Sequence, residues 1–468
     1  MNAVAASLPA TVAPAPTVSA EARDEPGRGE YVLLFLICLA FAGDPSFLWR
    51  TGTGLDQEAG KQLAQGDLRN QLIYGALYLL TGGLALRARM PILRIAQQMP
   101  ALTLLTGLAV ASLAWSDEGA VTIRRSVGLI GSTFVGLYLG WRLTPAKLLG
   151  LAGGALATCM VLSLALIAVA PQQGLMPRGN LAGNWRGIYK HKNNLGVFSA
   201  ISVLTALFAI RERGSRISPL WYLSLFVSLA TLIGSRSMTG VATLAATCAA
   251  YPVVATTRLS GWVKVAVVAA GGWCAYALVA MGAFSLDEAM AGLGKSSDLT
   301  GRVPMWRMLW DAAMERPFLG SGFGAFWQET NPVVIRIWLD GYFQPIDAHN
   351  GLLNVLLELG IVGTIAFVAW YAASLAAANR QLAANPTPAR GWSLALLVLF
   401  AIYSVPEAIF FRPNGFIWIL MVAVAARACI GEPEPEHASA APAGQGTASR
   451  ESSRTDPAPV VGSTPSLL

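Results

Sequence analysis

The chain has 468 residues, 54% of them hydrophobic and 13% charged, and its 33 Lys and Arg against 26 Asp and Glu give a net charge of +7. Soluble globular domains carry roughly a quarter charged residues, so with a mean hydropathy of +0.52 a soluble enzyme is excluded. Length alone would suggest about three domains, but the apolar residues recur as long blocks between short charged segments, the pattern of one all-α polytopic membrane domain.

Residues 1–30 are rich in Ala, Pro and Thr and then mixed in charge. They lack the basic start and apolar core of a signal peptide and read as a disordered cytoplasmic tail. Residues 31–430 read as the transmembrane domain, with about twelve spans of roughly 17–25 residues, a few of them shorter or tilted. Their centres fall near Ile37, Tyr78, Gly107, Ser132, Met160, Val203, Val227, Ala246, Ala269, Gly363, Leu397 and Leu420. Gly136 and Gly140, and Gly150 and Gly154, stand at GxxxG spacing. That spacing either lets neighbouring helices approach closely or arises by chance in a glycine-rich chain. Residues 284–350 form one long periplasmic loop with room for short helices, and residues 431–468, rich in Pro, Ser, Ala and Glu, read as a second disordered cytoplasmic tail.

Loop charge sets the orientation. Arg87, Arg89, Arg94, Arg142, Lys147, Arg211, Arg213, Arg216, Arg258, Lys264, Arg380 and Arg390 share their loops with a single acid, Glu212. The positive-inside rule places these loops and both termini in the cytoplasm. Two outer segments are more basic than that rule expects, residues 171–192 with Arg178, Arg186, Lys190 and Lys192, and the long loop with Arg302. Outward cations in a membrane protein point to an anionic ligand. The five cysteines, Cys38, Cys159, Cys248, Cys274 and Cys429, are odd in number and lack Cys-x-x-Cys spacing, so they read as small buried hydrophobes.

Few residues could carry chemistry. At 100° per residue, Gly301 to Arg316 places Arg307, Asp311 and Glu315 on a polar stripe and Trp306, Leu309, Trp310 and Ala313 on the opposite face, with Arg302 in its middle. Arg302 either snorkels past the rings or points at a ligand. Gly320-Ser321-Gly322-Phe323-Gly324 lacks the strand before it and the Lys-Ser/Thr of a phosphate loop, so it fits a tight turn better. His349 directly precedes the apolar run that opens at Gly351. A lone histidine is more often structural than catalytic, but imidazole titrates nearest neutrality and is the natural general base. Arg124 and Arg125 open a span on the same outer side, either extending an anion site or anchoring the helix at the headgroups.

Four segments in order carry a family resemblance: GNWRGIYKHKNNLG (Gly183 to Gly196), GSRSMTG (Gly234 to Gly240), GR-x3-W with ERPFLGSGFGAF (Gly301 to Phe326), and AHNGLLNVLLELGIVG (Ala348 to Gly363). Together they resemble the O-antigen ligase/polymerase superfamily of bacterial membrane glycosyltransferases. The first segment and Glu407 are closer to its exopolysaccharide-polymerase branch. The resemblance implies an inner-membrane, metal-independent, inverting glycosyltransferase without cofactor, its site facing the periplasm and its donor an undecaprenyl-diphosphate-linked glycan. Its other partners would be a glycan acceptor, membrane lipid and other polysaccharide-assembly proteins, with no nucleic acid. Position by position it implies His349 as catalytic residue, Arg186, Lys192, Arg236 and Arg302 as diphosphate-binding cations, and Asn193 and Glu407 as orienting groups.

The residue chemistry agrees. Arginines offer permanent, bidentate charge to phosphate oxygens, and no Asp-x-Asp pair is present to hold a divalent ion. The expected reaction is polymerisation of lipid-linked repeat units, with a ligase handing glycan to a lipid core or protein as the alternative. A transporter is disfavoured because the spans are nearly free of charge and the two halves differ.

Overall fold

The structure is a computed structural model and describes residues 25–49, 67–177, 181–213, 219–256, 302–340 and 344–430. Arg178, Cys274, the expected span centre at Ala269 and most of both tails lie outside these residues. The described chain is all-α. In order it forms α1 (Arg28–Ala42), α2 (Leu68–Arg87), α3 (Ile92–Gln98), α4 (Pro100–Ala111), α5 (Gly119–Arg142), α6 (Pro145–Val169), α7 (Lys192–Arg213), α8 (Pro219–Ser235), α9 (Met238–Thr256), α10 (Arg302–Glu315), α11 (Pro332–Asp340), α12 (Gly351–Ala384), α13 (Pro388–Tyr403) and α14 (Phe416–Ile430), plus single short turns. Several starts follow from local chemistry. Thr144, Asn350 and Thr387 each accept a backbone amide from the first turn that follows, with proline next in line after both threonines.

A helix lies at eleven of the twelve expected centres, but not all of these helices have the length and composition of a membrane span. Among the described residues four helices, α6, α7, α9 and α12, are long and apolar enough to cross a bilayer, or five if the pair α3 and α4, bent by 103°, counts as one. Of the twelve expected spans, the described residues thus support four or five. Helices α8, α13 and α14 are apolar but only 17, 16 and 15 residues long, short of the roughly 20 a bilayer core requires. Every residue of α14 from Phe416 to Ala428 is buried. It packs on α5, α12 and α13, so its apolar surface faces protein on all sides.

The contact between α5 and α14 resolves the first GxxxG pair. A Cβ at Gly136 would stand 2.7 Å from the Ile419 carbonyl oxygen, and one at Gly140 would strike the Ala423 backbone. The two helices meet backbone to backbone. Gly150 and Gly154 instead face the side chains of Tyr31 and Phe35 on α1.

Helix α1 begins at Arg28, inside the segment that composition reads as a tail. Glu30 accepts from Arg142 Nε at 2.7 Å, Arg142 Nη2 at 2.8 Å and Tyr138 Oη at 2.8 Å, and Glu25 pairs with Lys147 at 2.7 Å. These basic groups are ones the loop-charge count treats as unpaired.

Contacts between helix ends sort the bundle into two poles. The Ala389 amide donates to Glu212 at 2.8 Å and Trp392 Nε1 to Thr205 at 3.0 Å, so α13 starts beside the end of α7 and finishes at the Lys192 end. Gly351 donates to the Ser404 carbonyl at 2.7 Å, and Gln381 at the other end of α12 donates to the Arg427 carbonyl at 3.2 Å. One pole thus gathers Lys192, Arg236, His349 and Glu407, and the other Arg142, Arg211, Arg213, Arg380 and Arg390.

Helix α12 is interrupted at Gly360 (φ 64°, ψ −166°). The break would orphan four backbone groups, and the segment before it in sequence takes them up. Ile361 and Val362 donate to the Pro317 and Phe318 carbonyls at 2.8 and 3.3 Å, while Ser321 and Gly322 donate to the Leu357 and Glu358 carbonyls, both at 3.0 Å. Gly320, Gly322 and Gly324 all lie at positive φ, between 66° and 98°, a region in which glycine carries no steric penalty. The glycine run is a turn that patches a broken helix.

Replacing Gly140 by Leu is expected to force α5 from α14 at a cost of about 1–3 kcal/mol or more. Thermal unfolding of the detergent-purified chain should show a lower midpoint than for the same change at Gly150.

Candidate active site

The long loop builds a small core of its own. Met305, Trp306, Leu309 and Ala313 on one face of α10 pack with Phe326, Trp327, Val334, Ile337, Ala348 and Leu357. This is the expected apolar face except at Trp310, which is 53% exposed. Arg302 lies on the buried face one turn before Trp306, and Trp306 Nε1 donates to the Ala348 carbonyl at 2.6 Å. Packing of α10 therefore delivers Arg302 and grips the residue preceding His349.

His349 stands between two carboxylates, each backed by an arginine. Its Nδ1 lies 3.0 Å from Glu407 Oε2, and the other oxygen of Glu407 accepts from Arg302 Nη2 at 3.3 Å. Arg302 Nη1 donates to the Pro406 carbonyl at 2.7 Å. On the other side the His349 amide donates to Asp347 Oδ1 at 2.9 Å, and Asp347 Oδ2 is paired with Arg412, whose Nε donates to the Ala408 carbonyl at 2.7 Å. Asn350 caps α12 through Leu353 at 3.0 Å and donates to the Val405 carbonyl at 3.2 Å. The segment 405–412 is thus bound to the 347–350 turn along its length.

Burial alone would raise the Asp347 carboxyl pKa, but Arg412, His349 and the His349 amide outweigh it and hold the group below the ordinary carboxylate range. Arg412 is correspondingly raised, chiefly by Asp347. His349 itself sits at φ 45°, a conformation costly for a residue with a Cβ and found where the surroundings over-determine it.

The remaining candidates form a second group at the same pole. Trp185 donates its amide to the Gly234 carbonyl at 3.1 Å, joining the first two motif segments. Lys192 Nζ donates to the Arg236 carbonyl at 3.3 Å, and Ser237 donates to Asn193 Oδ1 at 3.4 Å. A Cβ at Gly240 would lie 2.8 Å from the Gly196 backbone, which is why small residues recur where α7 and α9 begin. Arg186 is buried, its Nε donating to the Gln173 carbonyl at 2.9 Å. Arg236 is exposed at φ 48°.

The structure thus unites His349, Glu407 and Arg302 in one hydrogen-bonded line, and ties Lys192 and Asn193 separately to the adjacent Arg236 and Ser237, with Arg186 beside this second group. Arg302 differs from the sequence expectation in its geometry, since both terminal nitrogens are committed to Pro406 and Glu407. Asp347 and Arg412 escaped the sequence reading. An acid two residues before a histidine is the pattern of a side chain that accepts the i+2 amide, and that signal could have marked Asp347. Arg125, left between two roles, reaches inward to Glu358 at 4.0 Å and feels the charges of Arg412 and Asp347.

Because the Asp347 carboxyl is held below its ordinary range, its pairing contributes fully above the unfolded carboxylate value, near 4, and is lost only as pH falls further. Asp347→Asn is therefore expected to lower the thermal midpoint about equally at pH 5, 6.5 and 8. The expected loss is about 1–2 kcal/mol, discounted for the half-exposed Arg412.

Residues 223–368, which include Arg236, Arg302 and His349, match the family described as O-antigen ligase, Wzy_C. The exopolysaccharide production protein ExoQ of Rhizobium meliloti (strain 1021) is 25% identical over 188 residues, 38% of this chain. The match spans 43% of that relative, less than half its length. With helices of membrane-spanning length before this segment, within it and across its C-terminal end, the chain is a multi-pass membrane protein whose residues 223–368 match the O-antigen ligase family.

Proposed function

We propose that the protein is an inner-membrane glycan polymerase that moves a chain from an undecaprenyl-diphosphate carrier onto the next lipid-linked repeat unit, with its site on the periplasmic face and both termini cytoplasmic. The observation that carries this reading is the line Arg302, Glu407, His349, a carboxylate held by an arginine and set 3.0 Å from an imidazole nitrogen. Similarity to an exopolysaccharide production protein favours polymer synthesis. The clustering of the basic helix ends at the opposite pole from His349 supports the orientation.

With its proton on Nδ1 and donated to Glu407, the His349 ring offers Nε2 as acceptor. A hydroxyl of the acceptor sugar attacks the anomeric carbon, its proton passes to Nε2, and the bond from that carbon to the diphosphate oxygen breaks. Undecaprenyl diphosphate leaves with the electron pair, and a single displacement inverts the centre. Glu407 holds the ring and stabilises the imidazolium that forms. Arg236, Lys192 and Arg186 supply positive charge to the leaving diphosphate. Arg302, with its fork on Pro406 and Glu407, acts chiefly by fixing the carboxylate.

His349→Ala is expected to lower transfer by on the order of 10²–10⁴-fold with normal membrane insertion, measured on purified protein with lipid-linked oligosaccharide. Unchanged polymer length and yield in cells carrying His349→Ala would overturn the proposal. A deletion strain is expected to accumulate lipid-linked single repeats, whereas full-length lipid-linked polymer would identify a ligase. Arg302→Lys keeps the charge but reaches only one of the two oxygens, so activity should fall substantially. Full activity in the Arg302→Lys variant would exclude the fork as a holder of Glu407.

A further inference from the structure

The contact with Glu407 fixes the ring of His349 but not the positive-φ backbone that presents it. That backbone is held from inside α12. Asn354, buried in the first turn, accepts two hydrogen bonds at Oδ1, from the Ala348 amide at 3.2 Å and from Trp327 Nε1 at 2.9 Å. Its Nδ2 donates to Glu358 Oε1 at 3.1 Å. Rotating the amide by half a turn would set its NH2 group against two donors, so a single orientation satisfies the site. Glu358 is itself anchored, accepting the Gly324 amide from the glycine turn and facing Arg125 at 4.0 Å.

A relay therefore runs from the turn that patches the break in α12, through Glu358 and Asn354, to the amide immediately before His349. We propose that Asn354 is a positioning residue for His349, and that Glu358 acts on the reaction by fixing which way the Asn354 amide points. This rests on the reading of His349 as the general base. Misplacement of a base by a fraction of an ångström lowers the rate of the chemical step while leaving substrate binding intact, which separates the role from a contact to substrate.

Replacing Asn354 by Asp keeps the shape and the acceptor oxygen but exchanges the donor for a second carboxylate facing Glu358. Adding Glu358→Gln returns a donor at the other end of the same hydrogen bond. The chain has three histidines, His191, His349 and His437, so histidine-selective ¹³C NMR of the full chain in detergent resolves His349, assigned by its loss in His349→Ala. Asn354→Asp is expected to displace the His349 resonance alone and to lower kcat by on the order of tenfold with KM for the lipid-linked donor unchanged. The double variant is expected to restore both.

An unmoved His349 resonance in folded Asn354→Asp, a change confined to KM, or a double variant as displaced as the single one would each overturn the proposal. If the single variant does not fold, the double variant decides, a native resonance and kcat supporting it and a displaced resonance refuting it. Absence of glycan transfer by the wild-type chain, with a resonance that still moves and recovers, would refute the proposed function and leave the positioning role standing.

Discussion

A helix that breaks inside an apolar span exposes carbonyls and amides that lipid cannot satisfy, at a cost of several kcal/mol each. At Gly360 this constraint is met from a distant stretch of the same chain, the residues from Pro317 to Gly322. Much of the rest follows. Tying that stretch to α12 fixes where α10 ends, packing of α10 under the loop core sets Arg302 and Trp306, and Trp306 holds Ala348 beside the histidine. The glycines that look at first like a nucleotide-binding signature owe their presence to backbone accounting.

The cluster around His349 shows how charges survive at the edge of an apolar bundle. Glu407 and Asp347 flank His349 and are backed by Arg302 and Arg412 in turn, and each carboxylate oxygen has a partner. Removing one member would leave a neighbour partly buried and unmatched, which is dearer than the pair is beneficial. The arrangement buys precise placement of one imidazole more than it contributes to stability.

Much of this was legible in the sequence, and the failures have physical reasons. Apolar blocks located the helices, because periodicity and length are local properties. They could not say whether lipid or protein covers a helix, since that depends on neighbours far along the chain, and so they could not show that protein encloses α14 from Phe416 to Ala428. His349, Glu407 and Arg302 were found as residue types in a recognisable order. The direction of the Arg302 fork was not, because the Pro406 carbonyl that receives it lies 104 positions later. Arg412 and Asp347 gained a role only when the fold set one against the other, and Arg125 became an interior charge only when α5 met α12.

The order in which these parts leave the ribosome gives the enclosure of α14 another meaning. His349 precedes Glu407 by 58 positions, and among the described helices α14, the last made, has the most enclosed surface. A nascent chain that has inserted everything through α12 still lacks the carboxylate for its imidazole and the helix against which α5 closes. Folding cannot finish from the front, so an incompletely synthesised chain is left with an open bundle as well as a mute histidine, and quality control could detect the first without having to sense the second.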